Sequence, residues 1–209
     1  PVDGRGMLRM ADERPQITKD RTRYTFYPHT QAVPCNAGPR LLNRTHSITA
    51  DVEIPSSGAQ GALVSFGGVD GGYSLYVKDN KLQYVQNYVA RDYLHVESTV
   101  PVPAGHHELR FEFEVTGNPD FANGKGTPGR AQLYIDGKLV GQADFPHTTP
   151  FSLGLTGGIT VGADPGAPVA PFYETPFEFT GTIHSVTFDV SGDVIKDSEA
   201  EMRVIMARQ

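Results

Sequence analysis

The chain of 209 residues has 18 basic and 24 acidic side chains, which give a formal net charge of −6. This balance disfavours nucleic-acid binding, because a protein that binds phosphates needs a basic excess. The 23 glycines and 16 prolines argue against a helical bundle. No apolar run reaches the roughly 18 residues of a membrane helix, and the single cysteine excludes an intrachain disulfide.

Segments with strand periodicity follow one another along the chain, separated by clusters of turn-forming residues. In chain order the predicted strands span residues 24–27, 47–54, 62–66, 73–78, 81–88, 93–98, 107–115, 131–135, 138–145, 157–162, 177–179 and 182–190. The clearest, 107–115, alternates inward and charged side chains, which is typical of a sheet with one dry and one wet face. Two-residue loops at Asp79-Asn80 and Asp136-Gly137 predict tight hairpins.

This pattern predicts an all-β fold, an antiparallel two-sheet jelly-roll sandwich. A large closed barrel is the alternative architecture. Residues 22–209 are expected to form a single β-sandwich domain, because no repeat or interior linker divides them, and residues 1–21 an extended lead-in. Only residues 198–208 have helical spacing, which predicts a short C-terminal helix.

Two features are candidates for a catalytic centre. Cys35 lies in a loop near Arg40, where a nearby cation favours a reactive thiolate, but no base accompanies it in the sequence. An inert loop thiol is therefore the favoured interpretation. Glu112 and Glu114 lie two residues apart on one strand face, about 7 Å at the backbone, which is compatible with a glycosidase pair.

The carboxylate pair has a plainer explanation in its neighbours on the same strand. Glu108 and Arg110 continue the row, which is typical of a solvated sheet face rather than an acid–base pair. A stand-alone glycosidase is therefore retained only as a further alternative.

Metal ligands are not evident in the sequence. His106 and His107 point to opposite faces of one strand and cannot share an ion, and no His-Glu-x-x-His run occurs. Loop aspartates could offer oxygen atoms to calcium: Asp70, Asp79, Asp120, Asp136 and Asp164. Lone aspartates of this kind are more often turn residues, so we predict no metal ligand. With the candidates above also unsupported, we predict no catalytic residue and no cofactor in this chain.

Tyrosines are concentrated between residues 73 and 93. Alternation places most of them in the core and leaves Tyr76 and Tyr93 facing outward. Exposed tyrosines on a sandwich can stack on sugar rings, so these two are predicted ligand-binding residues. Asn43-Arg44-Thr45 also has the pattern of a glycosylation sequon.

Several longer runs resemble the C-terminal domain of long bacterial arylsulfatases. They are Thr22–Pro28, Asn43–Val52, Gly71–Val77, Lys125–Gly129, Leu133–Val140 and Pro176–Ile183. Pro1–Arg5 is similar to the P-L-D-D-R segment that closes the catalytic part of such chains. The resemblance implies a concanavalin A-like or laminin G-like sandwich, and residues 1–21 would then lead in from an absent catalytic domain.

The resemblance transfers no catalytic residue. The family makes formylglycine in a C/S-x-P-x-R motif beside a bound calcium ion, whereas Cys35 has Pro39 and Arg40 four and five positions on. Formylglycine and calcium would therefore belong to the parent enzyme. Ala163 also departs from the Gly-Arg-Asp usual at that loop, which puts any contact of that arginine in doubt.

The resemblance implies a non-catalytic accessory domain that packs on the sulfatase domain of the same chain and shapes substrate access. The expected partners are that domain and a sulfated saccharide, with neither nucleic acid nor membrane. The alternative is a carbohydrate-binding module. The sequence does not indicate the compartment.

Overall fold

The computed structural model describes residues 21–30, 32–34, 37–150 and 157–195. Its strands are β1 (Arg23–Phe26), β2 (His46–Ile54), β3 (Gly61–Gly68), β4 (Gly71–Lys78), β5 (Lys81–Tyr88), β6 (Asp92–Glu97), β7 (Gly105–Val115), β8 (Gly129–Ile135), β9 (Lys138–Phe145), β10 (Thr160–Val161), β11 (Ala163–Asp164), β12 (Phe177–Glu178) and β13 (Thr182–Asp189). A 3₁₀ turn spans Phe121–Asn123. In the part of the chain that the structure describes, no helical segment has the length and apolar character of a membrane span.

The strands form two main antiparallel sheets. One has six strands in the order β1-β13-β2-β7-β8-β9, and the other has five in the order β10-β3-β4-β5-β6. β11 and β12 form a small third sheet. The predicted all-β sandwich is therefore confirmed. The predicted C-terminal helix, Cys35 and most of the 1–21 segment lie outside the described residues.

The core between the sheets is built from the inward-facing residues, which alternate with outward-facing residues along each long strand. Leu109, Phe111 and Phe113 of β7 are at most 2% exposed, as the alternation predicts. Phe111 stacks on Tyr84 of the opposite sheet, with ring centroids 3.5 Å apart and planes 10° from parallel. Burial of such large rings stabilises the contact between the two sheets.

The two predicted hairpin turns are confirmed. Asp79 and Asn80 both have positive φ, 52° and 59°, and so do Asp136 and Gly137, at 50° and 74°. These left-handed values suit residues with a short polar side chain or none, and they match the twist of the paired strands. The turn chemistry accordingly placed the bounds of β5 and the start of β9 correctly.

The segment that follows β10 folds back over the outer face of the five-stranded sheet. It contributes Val169, Ala170 and Tyr173 to a second buried cluster with Ala62 and Tyr76. The predicted strands 157–162 and 177–179 are in fact reduced to short pairings, because this segment covers the sheet instead of extending it.

Candidate functional site

A group of partly exposed aromatic side chains lies on the outer face of the five-stranded sheet. Tyr93 and His95 project from β6, and Phe172 reaches them from the covering segment. The Phe172 ring centroid is 5.9 Å from that of Tyr93 and 5.0 Å from that of His95. We call Tyr93, His95 and Phe172 the Tyr93 surface.

Polar groups border the Tyr93 surface. His95 Nε2 lies 3.1 Å from Gln83 Oε1. Lys81 Nζ donates to Glu97 Oε1 at 2.5 Å, and both side chains are 38% exposed. Ligand-binding sites commonly combine apolar rings with a few hydrogen-bond donors and acceptors in fixed positions.

The surroundings of His95 favour its neutral form. Burial lowers its pKa, while the nearby carboxylate of Glu97 acts in the opposite sense. A neutral imidazole has one donor and one acceptor nitrogen, so the Tyr93 surface combines an apolar area with hydrogen-bonding groups and a balanced ion pair.

Tyr76 differs from the expectation in one respect. It faces away from the core between the sheets, as the alternation predicts, but it is 0% exposed rather than open to solvent. Tyr173 and Phe177 pack on it, with ring centroids 5.1 Å and 6.0 Å away. The alternation around Tyr76 does not show this cover, because it comes from a segment about 100 residues later. The role of Tyr76 and Tyr93 in ligand binding stays a prediction.

The carboxylates considered for catalysis lie on the other sheet, in an open row. Glu112 Oε2 accepts from Arg110 Nη1 at 2.8 Å, and Glu114 is 54% exposed, 3.9 Å from Arg130. Arg110 also lies over the Tyr134 ring, 4.2 Å from its centroid. Each acid is therefore compensated on a solvated face.

Three of the five candidate calcium aspartates are engaged with protein donors. Asp120 accepts from the backbone and side chain of Asn123. Asp136 accepts from the Glu108 amide and contacts His107. Tyr173 donates to Asp164 at 2.7 Å. These aspartates hold turns and loops together.

His106 and His107 lie on opposite faces of β7, as predicted. The residues next to His106 were not predicted from the sequence. Asp51 and His184 lie beside it, and these three are the one group among the described residues that could hold a metal ion. The sequence periodicity assigns each of the three residues to a predicted strand. It does not give the order of the strands in the sheet or their register, so it cannot show that the three lie together.

The sequon asparagine is structural. Asn43 is 6% exposed, its Nδ2 donates to the Pro150 carbonyl at 2.7 Å, and its Oδ1 accepts from the Thr127 amide at 3.1 Å. Its side-chain nitrogen is thus not available for a glycan in the folded chain.

Comparison with solved structures supports this architecture. Domains LG4-5 of the mouse laminin α1 chain match with a TM-score of 0.51 and 16% identity, over 84% of this chain and 43% of that chain. A leech intramolecular trans-sialidase matches with a TM-score of 0.52 and 13% identity, over 87% of this chain and 27% of that chain. The fold is that of a laminin G-like sandwich.

A further match is the carbohydrate-binding module CBM40 of the Ruminococcus gnavus IT-sialidase, solved with α2,3-sialyllactose. Its TM-score is 0.49 at 14% identity, over 78% of this chain and 82% of that chain. No protein-family model matches the chain, and no curated protein matches it. The relation to arylsulfatases therefore stays a prediction.

Proposed function

We propose that this domain is a non-catalytic module that binds a saccharide at the Tyr93 surface. The observation that carries the proposal is the group of partly exposed rings at Tyr93, His95 and Phe172, set beside hydrogen-bonding side chains. An aromatic face can pack on the C–H groups of a sugar ring, while neighbouring polar groups bond its hydroxyls. A binding role of this kind requires no cofactor.

The charges at the surface favour an uncharged sugar. Lys81 and Glu97 form an ion pair in which the two charges compensate each other. Lys78 Nζ donates a hydrogen bond to the Phe172 carbonyl at 2.5 Å. We therefore expect neutral oligosaccharides to bind at least as tightly as sulfated ones.

The test is titration with a panel of neutral, sialylated and sulfated oligosaccharides. Tyr93→Ala should weaken binding about tenfold, since an aromatic contact is worth roughly 0.5–1.5 kcal/mol beyond burial. Tyr134→Ala is the matched control, because this tyrosine lies on the opposite sheet over Arg110. Equal losses in both variants, or no saturable binding at millimolar sugar, would contradict the proposal.

A second proposal is that the domain packs on an arylsulfatase catalytic domain of the same chain. It is supported by the sequence runs that resemble that family and by one exposed group within them. Tyr27, which lies in the Thr22–Pro28 run, is 64% exposed, which suits a large side chain that is covered by another domain.

Two observations test this second role. The coding sequence upstream of Pro1 should contain a C/S-x-P-x-R motif in the same reading frame, and the 209-residue chain alone should not hydrolyse an aryl sulfate. Turnover by the pure chain would contradict an accessory role. An upstream frame without the motif would contradict the family.

A further inference from the structure

Three neighbouring strands of the six-stranded sheet bring a carboxylate and two imidazoles together on its outer face. Asp51 lies on β2, His106 on β7 and His184 on β13, and one ligand atom from each lies within 4.8 Å of the other two. His106 Nε2 is 2.6 Å from Asp51 Oδ1, and the two imidazole centroids are 5.6 Å apart.

A β-bulge in β13 places His184 in this group. Ile183 pairs with Val52, but the next pair is Ser185 with Asp51, so His184 is the extra residue. Ile183 and Val186 are buried, whereas both residues between them face outward. Bulges redirect side chains in this way, and here the redirected imidazole lies next to Asp51.

The surroundings of the group are acidic. Glu53 pairs with His106 across the strands, and Glu108 pairs with Asp51, so both lie on the same outer face. Further along that face, Arg110 is already engaged by Glu112. The local field therefore favours a cation.

We propose that Asp51, His106 and His184 form a surface site for one divalent transition-metal ion, with Zn²⁺ as the reference ion. Two imidazoles and one carboxylate are a donor set that zinc accepts in tetrahedral geometry, with water at the fourth position. Calcium and magnesium prefer oxygen ligands and are disfavoured. The site goes beyond the sequence-based prediction of no metal ligand and is independent of the Tyr93 surface.

The arrangement needs only side-chain adjustment to bind an ion. Bonds of about 2.0–2.1 Å in a tetrahedral site put ligand atoms roughly 3.3 Å apart. His106 Nε2 and Asp51 Oδ1 are now 2.6 Å apart, and one ligand atom from each of the three residues lies within 4.8 Å of the others. The side chains of His106 and Asp51 are 62% and 44% exposed, so rotation meets little packing. The strands hold the three backbones in place.

The experiment is calorimetric titration of the 209-residue chain with Zn²⁺ at neutral pH, with Ca²⁺ in parallel. One Zn²⁺ per chain should bind and Ca²⁺ should not. His106→Gln and His184→Gln should each weaken Zn²⁺ binding at least tenfold, because each removes one of three ligands. His107→Gln is the matched control, since that adjacent imidazole contacts Asp136 instead.

Folding of each variant is checked by circular dichroism, and the exposed positions of His106 and His184 make unfolding unexpected. Equal weakening by His107→Gln, unchanged binding in His106→Gln and His184→Gln, or equally tight Ca²⁺ binding would overturn the site. A dimer with one Zn²⁺ per two chains, seen by sedimentation, would also overturn it as a single-chain site.

Discussion

His46 at the start of β2 is buried without a charge partner, and this makes the stability of the fold depend on pH. Its Nδ1 donates to the Arg44 carbonyl at 2.9 Å, which leaves Nε2 as the unprotonated nitrogen. Nε2 has no hydrogen-bond partner among the described residues. The ring stacks on Phe113, with centroids 5.4 Å apart. A proton on Nε2 would therefore add a buried charge that nothing accepts.

The magnitude follows from the pKa of His46 in the folded chain. Burial lowers this pKa from 6.5 to about 4, and the nearby Arg44 charge acts in the same direction. Because the unfolded chain takes up this proton at higher pH than the folded chain, His46 adds no pH dependence to the stability above about pH 6.5 and lowers the stability between pH 6.5 and 4. At about 1.4 kcal/mol per pKa unit, the loss reaches about 3 kcal/mol, a large share of the 5–15 kcal/mol of a typical domain.

The assay is urea unfolding of the wild-type chain and of His46→Gln at several pH values from 7.5 to 4. The glutamine keeps a donor for the Arg44 carbonyl but does not titrate. The free energy of unfolding of His46→Gln should therefore fall less steeply than that of the wild-type chain as the pH is lowered. His95, whose pKa is also lowered by burial, adds to the pH dependence in the same direction in both chains. Identical slopes, or a folded-state His46 pKa near 6.5 by NMR titration, would refute the reasoning.

Two further predictions concern the close contact between the Gly141 and Glu97 backbones and the buried hydrogen bond from Tyr173 to Asp164. A methyl group at Gly141 would collide with the carbonyl oxygen of Glu97 where the sheet edges meet, so Gly141→Ala should cost at least about 2 kcal/mol. Gly166→Ala is the control within about 0.5 kcal/mol, because its site is open. Tyr173→Phe removes the donor to buried Asp164 and should cost about 1–3 kcal/mol. Urea unfolding measures all three, and a neutral Gly141→Ala or Tyr173→Phe would contradict the corresponding contact.

Local chemistry explains why most strands were predictable. Alternation along β7 identified which side chains are inward, because one face of that strand is dry and the other is wet. The turn residues at Asp79-Asn80 and Asp136-Gly137 fixed where the chain reverses, since their left-handed backbone suits few other residues. Both signals operate within about ten residues and need no knowledge of the rest of the chain.

The candidate sites were predictable only in part. The prediction that Tyr76 faces away from the main core was right, but its burial depends on a segment near residue 173. Phe172 was missed, although the run Pro171-Phe172-Tyr173 contains two adjacent aromatic rings in a loop rich in proline and glycine. Such rings indicate that a loop packs on a surface, and that signal was available.

An antiparallel β-sandwich can be predicted from the order of residues alone, because periodicity and turn chemistry are local properties of the chain. The contacts between distant side chains depend instead on the assembled fold. Strand order and the bulge at His184 brought it to Asp51 and His106, and the covering segment placed Phe172 against Tyr93. A pattern with period two identifies a face of a strand but contains no information about its neighbours, so these groupings arise only when the sheets are assembled.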